Sequence, residues 1–182
     1  MRALVFITLS LLISTSASAG TITFKGCSAS DQSNIKQAVQ WLKDNISKID
    51  AKMGKGALMS WPGNSRKKWL AKLDKDLKFV CKNAKKKCQR VSKSGTVLYG
   101  QVVPVFQQKT VQLCTNHFTR GMSDYVGTIA HEIGHLVRLN AHRTNCKKLC
   151  EKPRFSQSVG IAAEIAYTGG SYSAKACKKS CD

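Results

Sequence analysis

His131 and His135 flank Glu132 in the segment His131-Glu132-Ile133-Gly134-His135. Four residues apart on a helix, two imidazoles point the same way and can hold one Zn²⁺, with the intervening carboxylate beside the open coordination position. The chemistry of such a set is hydrolytic: the metal activates a water molecule, and Glu132 takes its proton as general base. The pentapeptide alone is short enough to arise by chance. Its setting, with Ile129, Ala130, Ile133, Leu136 and Val137, makes a largely uncharged, buriable helix across Val126 to Leu139, whereas an ordinary surface helix carrying two His is the plainer alternative.

A catalytic zinc needs a third protein ligand. The pattern that supplies a third His shortly after the motif requires it at position 141, which is Ala141, and His142 is one residue out of register. Of the downstream acids Glu151, Glu164 and Asp182, only Glu164 lies in an apolar, helix-compatible stretch, Val159 to Tyr167. A carboxylate among Ile161, Ala162, Ala163, Ile165 and Ala166 is costly to bury unless it is paired. Glu164 is therefore the first candidate ligand and His142 the second. Three residues apart, Glu164 and Tyr167 share a helix face and can project a carboxylate and a phenol into one cleft. His117, just past Cys114, is a candidate substrate contact against the simpler reading of a surface His.

The elements that must carry these groups follow from periodicity. Ile35, Ala38, Val39, Leu42, Ile46 and Ile49 recur at helical spacing and predict an amphipathic helix from Asp31 to Ile49. A loop with Gly54, Gly56 and Trp61-Pro62-Gly63 follows, then a predicted helix from Ser65 to Val80 with Trp69, Leu70, Leu73 and Leu77 inward. Thr96 to Phe106 and Lys109 to Thr115 are rich in Val, Leu, Phe and Tyr around Gln107-Gln108 and predict a hairpin. Pro104 cannot donate a ladder hydrogen bond, so its strand belongs at an edge, where an extended peptide can pair.

Met1-Arg2, the apolar run Ala3 to Ile13 and the small residues ending Ala17-Ser18-Ala19 read as an export signal, residues 1–19, ahead of one domain, 20–182. No other stretch approaches the ~20 apolar residues of a membrane span. All 8 Cys lie after the signal, and an even count in an exported chain favours disulfides. Cys146-x-x-x-Cys150 and Cys177-x-x-x-Cys181 each set two thiols on one helical face, so antiparallel helices pair Cys146 with Cys181 and Cys150 with Cys177. A four-thiol zinc site is the rival, with a spacing wider than usual. Across 182 residues, 30 Lys+Arg face 10 Asp+Glu, a net charge of +20, while 42% apolar residues and 3 Pro exclude a disordered or fibrous chain. The charge points to acidic substrates or anionic surfaces. Aromatic residues do not interleave with the lysines, so base stacking and specific nucleic-acid binding rank low.

Several segments together resemble the aspzincin metallopeptidases, the deuterolysin and peptidyl-Lys metalloendopeptidase group. They are Phe24-Lys25-Gly26-Cys27, Ser60-Trp61-Pro62-Gly63, Phe79-Val80-Cys81, Val111-Gln112-Leu113-Cys114 and Thr128-Ile129-Ala130-His131-Glu132. The resemblance implies pairing of Cys27 with Cys81 and of Cys88 with Cys114. It also implies a carboxylate ligand three residues before a Tyr. Here Glu164 stands for the family's Asp, Ile161-Ala162 for its Gly-Thr and Thr168 for its final Gly. By resemblance Tyr167 stabilises the oxyanion. The end of the chain departs from the family, and specificity for Lys is not implied.

The expectation is a secreted zinc metalloendopeptidase, extracellular or periplasmic. It is α+β and zincin-like, mainly helical with a small sheet or hairpin, disulfide-stapled and monomeric. Its one Zn²⁺ is held by His131, His135 and Glu164, and its substrates are acidic proteins or peptides, or proteins on an anionic surface. Two alternatives remain: a cationic envelope- or nucleic-acid-binding, toxin-like protein without catalysis, and a zinc peptidoglycan peptide hydrolase.

Overall fold

Ser28 opens the first helix, α1 (Ala29–Asp44). Its Oγ accepts the Asp31 N–H at 3.0 Å while the Asp31 carboxylate accepts the Ser28 N–H at 3.2 Å, which satisfies two donors that a helix start otherwise leaves open. This computed structural model describes residues 20–82, 88, 100–102, 110–138 and 146–179. The predicted export signal, Pro104, His142 and Cys181 lie outside them, as does the side chain of Cys146.

Ile35, Ala38, Val39 and Leu42 are all buried on α1, as their spacing predicts. The helix does not run through to Ile49. Asn45 donates from its side-chain amide to the Trp41 carbonyl at 2.9 Å and closes α1. A separate short helix, α2 (Ile46–Asp50), then buries Ile49.

The second predicted helix is also shorter. α3 (Ser65–Leu73) buries Trp69 and Leu73, and the chain turns at Asp74-Lys75-Asp76 into a strand, β2 (Leu77–Cys81). Leu73 and Leu77 are four apart and fit either structure, but Leu77 and Phe79 inward with Lys78 outward is strand alternation. A neighbouring strand, β1 (Ile22–Lys25), settles the choice. It pairs with β2 in parallel, Ile22 beside Leu77 and Phe24 beside Phe79. The Leu77 N–H donates to the Thr21 carbonyl at 3.0 Å, and the Thr21 N–H to Asp76 Oδ1 at 2.9 Å.

The sheet is completed by β3 (Gly100–Val102) and β4 (Thr110–Leu113), in the order β1-β2-β4-β3. β4 runs parallel to β2, and β3 runs antiparallel to β4 with Val102 opposite Val111. The antiparallel pair agrees with the predicted hairpin, and among the described residues β3 lies at the edge of the sheet.

Four further helices follow, the first three being α4 (Met122–Val137), α5 (Cys146–Glu151) and α6 (Phe155–Thr168). The last helix is α7 (Ala174–Lys179). α4 holds the two-His motif and packs on α1, α3, β3, β4 and, most extensively, α6. One core joins α1, α3, the inner face of the sheet, α4 and α6 through residues such as Trp69, Phe79, Leu113, Ile129, Ile133 and Phe155. The molecule is thus a single α+β domain.

Disulfides join Cys27 to Cys81, Cys88 to Cys114 and Cys150 to Cys177. The first ties the start of α1 to the end of β2, and the third clasps α5 to α7. All three pairings match expectation, while the Cys146–Cys181 pair falls outside the described residues. These bridges suit an oxidising compartment. Among the described residues no helix is long and apolar enough to cross a membrane.

Candidate metal centre

The motif helix is fixed at its start, middle and flank before any chemistry is considered. Gly121, at φ +61°, makes the turn into α4. Asp124 then sits in the first turn with its carboxylate wholly buried, accepting the N–H groups of Thr119 at 2.8 Å and Arg120 at 2.6 Å. A carboxylate there suits both the open amides and the positive end of the helix dipole. In mid-helix, the Trp69 indole N–H donates to the Ala130 carbonyl at 3.2 Å, one residue before His131. Trp69 is itself wedged beside Trp61, with ring centroids 5.9 Å apart.

On this support, His131 and His135 bring their Nε2 atoms to 3.1 Å, with rings 4.7 Å apart and nearly perpendicular. Two nitrogen ligands of tetrahedral zinc, each ~2.0–2.1 Å from the metal, lie about 3.3 Å apart. The imidazole pair therefore has about the nitrogen separation of two ligands on one tetrahedral zinc. His131 is half-buried and His135 is buried, at 9% exposure. Glu132, between them, is only 2% exposed.

α6 reaches the motif because side chains are missing where the helices cross. A Cβ on Gly160 would stand 2.8 Å from His131 Cβ and 2.9 Å from the Gly127 carbonyl oxygen, and one on Gly134 would stand 2.8 Å from Ser156 Cα. Gly127 faces Glu164, His131 faces Gly160 and Gly134 faces Ser156. The numbering falls along one helix as it rises along the other, so the pair is antiparallel.

This places the predicted third ligand one turn from the level of His131. Glu164 Oε2 lies 3.2 Å from where a Gly127 Cβ would be, and its Oε1 accepts from the Arg120 guanidinium. Among the described residues no three His, Cys, Asp or Glu side chains converge as a metal-binding group. Arg120 also grips Asp124 Oδ1 through Nε at 2.8 Å. Partial burial works against its charge, but Glu164 and Asp124 outweigh that and hold the guanidinium above its ordinary range.

Tyr167 projects from the same helix beyond Glu164. It is 39% exposed and meets the Trp41 ring edge-on at 5.2 Å. Its hydroxyl is thus carried on the side of α6 nearer α1, farther along the helix from His131 than Glu164. His117 Nε2 lies 3.0 Å from the Cys88 carbonyl, a contact beside the Cys88–Cys114 bridge rather than at the His pair.

Arg120, Asp124, Gly127 and Gly160 are the site-forming residues that motif reading passes over. Arg120 and Asp124 carried a signal, opposite charges four apart at a helix start. The glycines carried one too: in two otherwise apolar helices they mark a close crossing. No family model, curated protein or solved structure matches the chain.

Proposed function

We propose that this protein is a secreted zinc metalloendopeptidase with a zincin-like fold, similar to the aspzincin group. The observation that carries the reading is the 3.1 Å separation of His131 and His135 Nε2 with buried Glu132 between them in sequence. In this reading Glu164 is the third ligand, as the resemblance implies. Its carboxylate lies one turn away, with Oε2 beside Gly127 and Oε1 on Arg120, and reaches the imidazoles by a change of side-chain rotamer.

A zinc ion held there supplies Lewis acidity and water that ionises near neutral pH. Glu132 accepts the proton of the attacking water and returns it to the departing amine. By the same resemblance Tyr167, which packs edge-on against Trp41, would be the donor to the oxyanion. The antiparallel edge strand β3, packed beside α4, lines up an extended substrate by backbone pairing. The cationic surface favours acidic or surface-bound substrates.

The test combines metal analysis with proteolysis. Oxidised protein is expected to hold one equivalent of zinc and to digest casein. Glu132→Gln is expected to keep the zinc and lose activity by about 10²- to 10⁴-fold. A folded, reconstituted parent that takes up no zinc overturns the reading.

The net charge of +20 favours a second reading, a cationic binding protein of anionic envelopes. Its mark is salt-sensitive binding that survives Glu132→Gln. Digestion of muropeptides but not casein would instead indicate a peptidoglycan peptide hydrolase.

A further inference from the structure

We infer that the clasp formed by α5 and α7 is a docking surface for an acidic polysaccharide, set apart from the His131–His135 pair and independent of the zinc reading. These two helices, with the Lys152-Pro153-Arg154 link that follows α5, carry six Lys and one Arg against a single acid, Glu151. Fifteen residues thus hold +6 of the net +20. Lys147, Lys148, Lys152 and Lys175 are exposed.

Charge of one sign at this density works against folding. Each helix has only 6 residues, too short to persist alone, and Lys148 and Lys152, four apart, repel each other. Cross-links counter this. The Cys150–Cys177 bridge joins the helices, the Tyr172 hydroxyl donates to the Cys150 carbonyl at 2.6 Å, and Glu151 pairs with Lys178 across the seam. α5 and α7 pack chiefly on each other and lend no side chain to the main core. The lysines are therefore gathered by links within and beside the clasp, not by burial in the core.

The make-up of the surface selects its partner. Lys offers point charges rather than the planar fork with which Arg reads a single carboxylate or phosphate, and this suits a ligand recognised by charge density. Among the described residues the large exposed apolar side chains are Met59 and Tyr167, neither on the clasp, so it has no apolar wedge for a bilayer. Tyr172 is half-buried with its hydroxyl on Cys150, which leaves no open ring on which bases could stack. A flexible acidic polymer met in an oxidising compartment fits what remains, and an acidic polysaccharide is that chemistry.

Binding of the full oxidised protein to immobilised dextran sulfate, with neutral dextran as the blank, tests the inference. Combining Lys148→Gln, Lys152→Gln and Lys175→Gln is expected to weaken binding about 10- to 100-fold at low salt. Combining Lys67→Gln, Lys68→Gln and Lys75→Gln removes the same charge from exposed positions on and just after α3 and is expected to change little. In the unaltered protein, bound dextran sulfate is expected to shield the three clasp lysines from amine acylation while Lys67, Lys68 and Lys75 stay reactive, which reads the surface even if the clasp variant does not fold.

Equal losses in the two triple variants, or equal shielding of the two sets of lysines, overturn the inference, because the charge then acts diffusely. A parent that binds dextran sulfate no better than neutral dextran overturns it too, as does tighter binding of duplex DNA or phosphatidylglycerol vesicles than of dextran sulfate. None of these outcomes involves zinc, so the inference and the metallopeptidase reading stand or fall separately.

Discussion

Tyr125 donates its hydroxyl to Asp31 Oδ1 at 2.5 Å, joining α4 to the capping residue of α1. Partial burial pushes the Asp31 carboxyl up, but hydrogen bonds from Tyr125, Ser28 and Thr115 outweigh it, and the group titrates below its usual 3.8. Burial and the Asp31 carboxylate push Tyr125 from 10.0 to about 12. The signs follow directly. Asp31 contributes stability above its unfolded value and loses it as pH falls through the lower folded value. Tyr125 contributes below pH 10 and loses its share between pH 10 and about 12. Tyr125→Phe is expected to lower stability at pH 7 by about 1 kcal/mol, measured as a urea midpoint. The gap between parent and variant should close as pH rises to 12 and as it falls through the Asp31 titration; a gap independent of pH would refute the role of this hydrogen bond. Residues of this kind are not legible in the sequence. His131 and His135 are, because one helical turn brings them together without help from the rest of the chain. Asp31 and Tyr125 meet only because α1 packs on α4, and Arg120 meets Glu164 only because α6 crosses α4.

At the scale of elements, the crossing of α4 and α6 sets the site, and Gly160 is its tightest point. A methyl group there meets the Gly127 carbonyl oxygen at 2.9 Å and His131 Cβ at 2.8 Å. Neither neighbour is the free end of a flexible side chain, so the helices must separate. Gly160→Ala is expected to cost about 1–3 kcal/mol through overpacking and, if the protein is the zinc enzyme proposed, to weaken zinc binding by displacing His131. Gly170→Ala, where the nearest atom is the Thr168 hydroxyl at 3.5 Å, is the control expected to change little; equal effects at both positions would argue against the crossing. The elements themselves were readable to the extent that their signal was local. The buried positions of α1 and α3 follow helical spacing, and α6 covers the whole stretch expected around Glu164. Two predicted helices overran because Ile46 and Ile49, like Leu77, continue the spacing while belonging to new elements. β1 pairs with β2 across more than fifty intervening residues, a partnership no local pattern encodes, and so the parallel part of the sheet went unforeseen.

For the molecule as a whole, cross-links and charge oppose each other. A net charge of +20 repels itself in the compact state, and the bridges counter this by restricting the unfolded chain. Cys27 and Cys81 close a sequence separation of 54, worth about 4 kcal/mol on chain-entropy grounds. Reduction is therefore expected to lower the melting temperature, and more so at low salt, where repulsion is least screened. The same charge acts outward on encounter with substrate. The Debye length is ~30 Å at 0.01 M salt and ~8 Å at 0.15 M, so attraction of an acidic peptide extends well beyond contact only in dilute buffer. If the protein is the peptidase proposed, kcat/KM for a Glu-rich peptide should fall roughly tenfold or more between those ionic strengths, with kcat unchanged because the bound complex is already formed. The matched Gln peptide separates this field from salt effects on the site. It should show almost no slope, and a slope equal to that of the Glu peptide would mean that the cationic surface has no part in selecting substrate.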